Sequence, residues 1–436
     1  LLSNSAGPSL QTVANLAVAG GPSQINLTSN GGQDMTLAIT GTLTRTAGTL
    51  NLGIPSADTI VAYTGATTNT NGTVGAWLTV NDTDYATISG GQIIAATYTS
   101  QNNVALWGTN QNITNSAGFT GTVGDCNTIN SLRFNAAGVS TITVGGSLIL
   151  TSGGILVTAN VDANASTITG GSMVSGTNEF IFTQNNTSST LTIDSRILSG
   201  TTTSPNITKN GPGALILSGT NNQTGTVNID EGILRLTGGS AISDTSSVTL
   251  RNVAGAGLEL LHSQTETIGS LIGDAGGSII LNNGSTLTVN QTSTQTVAAV
   301  ISGAGSFTKT GASTLTLTGS STFNGTLRVD QGSVALTGTG TQLAAVTAII
   351  LSGTGSLSNT QDQDANVGRI LNGATITLNN TSLGSGMVLT DSDATANNAE
   401  TVGALTLGAG HNVITSTSSI AAAIGTLTFA SLAARP

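Results

Sequence analysis

Thirty residues, Lys209–Gly238, read KNGPGALILSGTNNQTGTVNIDEGILRLTG, and one hundred residues later Lys309–Gly338 read KTGASTLTLTGSSTFNGTLRVDQGSVALTG. Aligned without a gap, 12 of the 30 positions are identical. What repeats is punctuation: Gly211, Gly219, Gly225, Gly232 and Gly238 match Gly311, Gly319, Gly325, Gly332 and Gly338. Between the glycines an apolar residue stands at every second position. Side chains of a strand point to alternate faces. Leu215 and Leu217 therefore share a face, as do Val227 with Ile229 and Leu234 with Leu236. Their counterparts are Leu315, Leu317, Leu327, Val329, Val334 and Leu336. The positions between them drift, from Ile216 to Thr316, Asn228 to Arg328, Ile233 to Ser333 and Arg235 to Ala335. The apolar face is expected inside and the drifting face in solvent. Short strands with one apolar face each cannot bury that face within one copy, so coils must stack on one another as a solenoid.

Composition agrees and narrows the choice. Charged residues make up 7% and aromatics 3% of the 436 residues, while glycine supplies 58 positions. A globular enzyme carries about 25% charged residues. Disorder is disfavoured because 37% of residues are hydrophobic, are placed with period 2, and are accompanied by only six prolines. Abundant Thr, Val and Ile with dense turn residues predict an almost wholly β chain. Ten Lys and Arg against a net charge of −10 cannot form the basic track that nucleic acid or a polybasic membrane contact requires.

Along the chain the pattern is present from the start, at Ile25 and Leu27, Met35, Leu37 and Ile39, and Leu50 and Leu52. It loosens from Asp58 to Gly124, where Trp77, Trp107, Tyr63, Tyr85 and Tyr98 all fall. This section is expected to be a cap or to carry longer loops that need aromatic mass; a ligand site is the rival reading. From Ile129 the coils become regular, and Phe180 and Phe182 face one way. Residues 1–128 are thus expected to form an N-terminal solenoid section with longer loops or a cap, and 129–436 a regular solenoid that contains the copies 209–238 and 309–338. A second element, Ile or Val, Gly, any residue, then Leu or Ile, recurs at Ile268–Leu271, Val367–Ile370 and Val402–Leu405 with its own spacing. No stretch divides the chain, which reads as one continuous solenoid. The absence of Met before Leu1 reads as a mature or excised piece. The most apolar stretches, Gln342–Leu351 and Ile420–Ala430, are about half the length a membrane-spanning helix needs.

The motif around Lys209 and Lys309, Thr-Lys-x-Gly with a later Gly-Thr-x-x-x-Asp-x-Gly, resembles the autotransporter-associated β-strand repeat of large secreted bacterial surface proteins. Phe323 stands at the position where that family carries an aromatic residue, and Gln223 departs from it. The motif proper spans about 60 residues; Ser131–Phe134 and Gly153–Val157 resemble the same proteins in style. The resemblance implies a right-handed parallel β-helix, secretion and display on a cell surface, and no catalytic residue. With about 20 to 25 residues per coil and about 4.8 Å between strands, the chain is expected to be a single elongated rod of roughly 18 to 20 coils and roughly 90 Å.

Chemistry-bearing candidates are few. Asp230-Glu231 and Asp330-Gln331 are the obvious acids, but each stands before a corner glycine where Asp bonds its own backbone in a turn. Glu231 is Gln in the second copy, so a paired acid is not repeated. Asp362, Asp364 and Asn366, and Asp391 with Asp393, look like calcium loops, yet Val367 and Gly373 hold the places where an EF-hand needs Gly and Glu. Lys309-Thr310 lacks the glycine a phosphate loop requires, because Thr308 stands there. His262 and His411 have no partner at metal-ligand spacing. Cys126 is the one cysteine and is expected as a buried or half-buried small residue. Asn-x-Thr runs such as Asn71-Gly-Thr73 and Asn324-Gly-Thr326 are better explained by Asn stacked at corners than by glycosylation. No catalytic, cofactor-binding or metal residue is therefore assigned.

The expected function is a non-enzymatic extracellular β-helix of a bacterial surface protein, an adhesive stalk or a self-assembling fibre subunit. Partners are expected to be further copies of the chain, head to tail or lateral, or a host surface or polysaccharide. Nucleic acid and a membrane-spanning segment are not expected. A carbohydrate-active enzyme is the alternative, as is a carbohydrate-binding rod using the aromatics from Tyr63 to Trp107.

Overall fold

The computed structural model describes residues 1–198, 204–337, 342–361, 368–381, 386–391, 399–418 and 425–433. Its described residues form an all-β parallel solenoid of about 16 turns. They fall into two compact units, Leu1–Leu234 and Arg235–Pro436.

In the first unit the inward-facing columns run coil to coil with like on like. Ile113, Leu132, Ile155, Phe182, Lys209 and Ile229 are successive partners in one parallel ladder. Ile142, Ile168, Ile193 and Leu217 occupy a second. Apart from Lys209 these are apolar and fully buried, as the alternation predicts. The repeat glycines Gly211, Gly219, Gly225 and Gly232 sit where a neighbouring segment comes too close for a side chain. At Gly211 the backbone takes φ +78°, and a Cβ would stand 2.6 Å from the Gln184 carbonyl oxygen.

The solenoid has one interruption that the period-2 pattern does not predict. In residues 1–95, Ser9–Val13, Met35–Ile39 and Thr59–Tyr63 stack in parallel on one side, and Pro22–Asn26, Thr49–Gly53 and Leu78–Val80 on another. Asp84–Ser89 then pairs antiparallel with Leu78–Val80 and with Gln92–Ala95, which returns to Ala62. The hairpin turns at Gly90 and Gly91, both at positive φ, the conformation a two-residue hairpin demands. It covers the parallel edges on both sides, which otherwise stand open to another chain. The next ladder starts afresh at Thr99, and among the described strands none before Ala95 pairs with one after it.

Residues 1–95 instead lie against the flank of the coils that follow. Leu156 and Ile181 point away from the solenoid interior yet are buried, in a cluster with Ala76, Tyr85 and Ala96. Gly154 lies under the Tyr85 ring, where a Cβ would approach its hydroxyl to 2.7 Å. Arg45 forks onto Glu179 at 2.6 and 2.9 Å. Arg133 pairs with Asp84 and lies 3.7 Å over the Tyr98 ring. The expectation that Phe180 and Phe182 face one way holds, and Ile181 between them is buried by this second layer.

In the second unit Leu287, Phe307, Leu327, Ile349, Ile376 and Leu405 form one column. Leu315, Val334, Leu357, Met387 and Ile414 form another. The step from coil to coil is not constant. It is short from Leu315 to Val334 and half as long again from Leu357 to Met387. Longer coils account for fewer turns than the 18 to 20 expected.

Candidate functional site

The buried ionisable groups are the chemically distinctive feature of this chain. Lys209 and Lys309 follow Ile207 and Phe307 by two residues, so strand alternation turns them inward. Both are 0% exposed. Lys209 is stacked between Phe182 and Ile229, and Lys309 between Val289 and Val329, so their methylene stems lie in core. The amine bends to the corner. Lys209 Nζ donates to the carbonyl oxygens of Gly211 (2.6 Å), Glu231 (2.8 Å) and Asn210 (3.1 Å). Lys309 Nζ donates to those of Thr310 (2.6 Å), Gly311 (2.7 Å) and Gln331 (3.2 Å). Each lysine thereby ties the corner after its own strand to the corner one coil later, and the Thr310 carbonyl also accepts the Gln291 N–H at 2.9 Å.

A second clamp has the opposite sign. Glu266 and Glu400 lie two residues before the Ile268 and Val402 of the other recurrent element and are likewise turned inward. Glu266 accepts from the backbone N–H of Ile242 (2.8 Å) and Ala241 (3.2 Å). Glu400 accepts from Arg369 N (2.8 Å), Ile370 N (3.3 Å) and Asn359 Nδ2 (2.7 Å). Two consecutive amides of an earlier segment are held by one carboxylate in both places. Gln291 plays a neutral version of the role, its Oε1 taking Leu271 N at 3.2 Å.

Burial sets how these groups titrate. It pushes Glu266 up to about 7 from an ordinary 4.5, against the pull of its two amides. It raises Glu400 as well, opposed by the same kind of bonds and by Arg369. It lowers Lys209 to about 7 and Lys309 to about 8 from 10.5. A carboxyl raised on folding contributes stability below its unfolded value, and this is lost as pH rises through the folded one. A lysine lowered on folding works in the reverse sense, favouring the folded chain as pH climbs from its folded value toward 10.5. Glu266 and Lys209 together are expected to put a stability minimum near pH 7, where most domains have a maximum. Urea midpoints from pH 5 to 9 test this: Glu266→Gln should flatten the acid limb, and a curve that peaks near pH 7 in the parent chain would refute it.

The candidates read from sequence fare unevenly. Asp330 lies on the Arg328 side chain, with Nε at 2.9 Å from Oδ2, so its carboxylate is engaged by a neighbouring guanidinium and not by its own turn. Asp230 is buried and its backbone N–H donates to the Lys209 carbonyl at 2.9 Å. Phe323 and Gln223 are both fully buried at their matching corners. Cys126 corrects its expectation: it is exposed, at a turn with φ +56°, because the corner between strands places it outside the ladder. His262 and His411 are exposed on separate corners. Asp362, Asp364, Asn366, Val367 and Asp393 lie outside the described residues, as do Gly338 and the first residues of Ile420–Ala430.

Most rings of the aromatic section are committed to packing. Tyr63, Tyr85 and Trp107 are buried, Trp77 and Tyr98 pack on the Tyr85 cluster, and Trp107 meets Phe119 edge to face. Corner asparagines do stack: Asn115 Oδ1 accepts Asn135 N (2.7 Å), and Asn135 Oδ1 accepts Thr158 Oγ1 (2.8 Å). Asn71 instead joins a cluster with Asn112 and Asn130. Among the described residues no helix is long and apolar enough to cross a membrane.

Comparison with known proteins gives this geometry a context. The Passenger-associated-transport-repeat family matches residues 207–236 and 307–336, the segments that hold the two lysine clamps. The adhesin BmaC autotransporter of Brucella suis biovar 1 (strain 1330) is 32% identical over 238 residues, which is 52% of this chain and 7% of that protein. The match thus spans a small fraction of that relative's length. No solved structure matches. The chain is an all-β parallel solenoid, two segments of which match the passenger-associated transport repeat, and it is distantly similar to a section of an autotransporter adhesin.

Proposed function

We propose that the chain is a non-enzymatic, surface-displayed section of a longer bacterial passenger protein, whose coils present an adhesive face to a host or other surface. The carrying observation is the 238-residue similarity to an adhesin. The chemistry of the interior supports it: Lys209, Lys309, Glu266 and Glu400, ionisable groups perturbed by burial, are occupied in tying one coil to the next. Groups committed to backbone carbonyls and amides are not free to act as acid, base or nucleophile. Thr-, Ser- and Asn-rich outer faces with little charge leave copies of the chain free to approach one another or a polysaccharide.

The test uses beads coated with the purified 436-residue chain, settled on epithelial monolayers beside albumin-coated beads. Attachment several-fold above albumin is expected, with no release of reducing ends or unsaturated sugars from a polysaccharide panel. Attachment equal to albumin would sink the adhesive reading, and cleavage of any polysaccharide would sink the non-enzymatic one.

A further inference from the structure

Where residues 1–95 lie against the later coils they leave a groove of about 560 Å³, within the range of small-ligand sites, about 300–1,000 Å³. One wall is Gln24, Asn51, Asn81 and Asp82; the other is Asn185, Asn210 and Glu231. The walls are held in place. Asn185 Nδ2 donates to the Asp82 carbonyl (2.6 Å), Asn81 exchanges two bonds with the Ile54 backbone (2.6 and 3.0 Å), and Asn51 Oδ1 takes Asp82 N (3.0 Å) and Thr79 Oγ1 (3.2 Å).

Two polar atoms of the walls remain unanswered. Asn51 is only 9% exposed, and with its oxygen so engaged its buried Nδ2 has no acceptor. Asn210 Oδ1, across the groove, is buried and has no donor. Asp82 and Glu231 line the same groove, and the Glu231 carboxylate takes one hydrogen bond from the Gly211 backbone. Burial raises both, and the Asp82 charge adds to the rise at Glu231 while Lys209 opposes it.

This set discriminates between ligand classes. A metal ion or an ammonium satisfies Asp82, Glu231 and Asn210 Oδ1 but leaves Asn51 Nδ2 unmatched. A phosphate or carboxylate satisfies Asn51 Nδ2 but is repelled by the two acids. A hydroxyl both donates and accepts, so a chain of hydroxyls answers every group at once. We propose that this groove binds a segment of neutral oligosaccharide, with Asp82 and Glu231 accepting from sugar hydroxyls, Asn51 donating to one and Asn210 accepting from another. The site does not depend on whether the chain as a whole is an adhesive stalk or a fibre subunit. It also differs from the aromatic section, which is the rival ligand-site reading of the sequence and of which Tyr63, Tyr85 and Trp107 are buried.

The test is saturation-transfer NMR followed by calorimetry on the whole chain. The probes are cellohexaose, mannohexaose, chitotetraose and galactotetraose, with hexagalacturonate and calcium chloride as charged competitors. The comparison protein is Asp82→Asn/Glu231→Gln. Both changes suit the fold: Asn tolerates the left-handed backbone of Asp82, at φ +60°, and Gln331 stands at the Glu231 position beside an intact lysine clamp. We expect at least one neutral oligosaccharide to bind and hexagalacturonate not to. The double variant, with unchanged melting, should weaken binding about tenfold or more, as loss of charge-assisted hydrogen bonds predicts. No binding by any neutral probe, equal affinity in the variant, or variant-sensitive binding of calcium or hexagalacturonate in place of neutral sugar would each overturn the proposal.

Discussion

Lys209→Met is expected to open its coil. Methionine matches the stem and keeps the contacts with Phe182 and Ile229, but it removes the donor that three carbonyls share. Buried carbonyls left without donors cost about 1–3 kcal/mol each, so a loss of about 3 kcal/mol or more is expected. A solenoid is stabilised coil by coil, and the loss should therefore be local. Hydrogen exchange at Asn206–Asn210 and Val227–Ile229 should speed up by roughly a hundredfold, while Met35–Ile39 keeps its protection. Lys309→Met should do the same at Ser306–Thr310 and Thr326–Val329. Unchanged exchange at these strands would mean that the lysine is a passenger of the repeat and not its clamp.

Glu400→Leu is the second large effect. It strips the acceptor from the amides of Arg369 and Ile370 and from Asn359, and it removes the carboxylate whose charge offsets buried Arg369. Breaking such a buried arrangement costs about 3–5 kcal/mol. Glu400→Gln, which keeps an acceptor oxygen, should cost much less. Near-equal urea midpoints for the Leu and Gln variants would show that the amides find other partners.

The lysine clamps were within reach of the sequence. Lys209 and Lys309 are identical in both copies and stand at i+2 from Ile207 and Phe307, so parity alone assigns them to the interior. The glutamates carry the same signal through Glu-Thr-Ile-Gly and Glu-Thr-Val-Gly. Local pattern was thus enough for strands, corners and inward faces. It was not enough for the flank contact, because Leu156 meets Tyr85 across six intervening strands and no period encodes that pairing. Its only trace is a lapse of alternation at Ile155–Val157 and Phe180–Phe182, the mark of strands buried on both faces. Nor does period 2 say anything of the groove, which exists only because the two layers meet.

The flank contact has a mechanical consequence. Stacked parallel coils pulled from an end can separate rung by rung, each yielding before the next is loaded. Arg45 on Glu179 and Tyr85 on Gly154 instead lie side by side, far apart along the chain. Tension entering the first coils is shared sideways with Ile155–Phe182 before it reaches the short connection at Ala96–Tyr98. Those bonds must slide together and fail together, so this region of the chain should resist pulling as a lap joint does and not as a zipper.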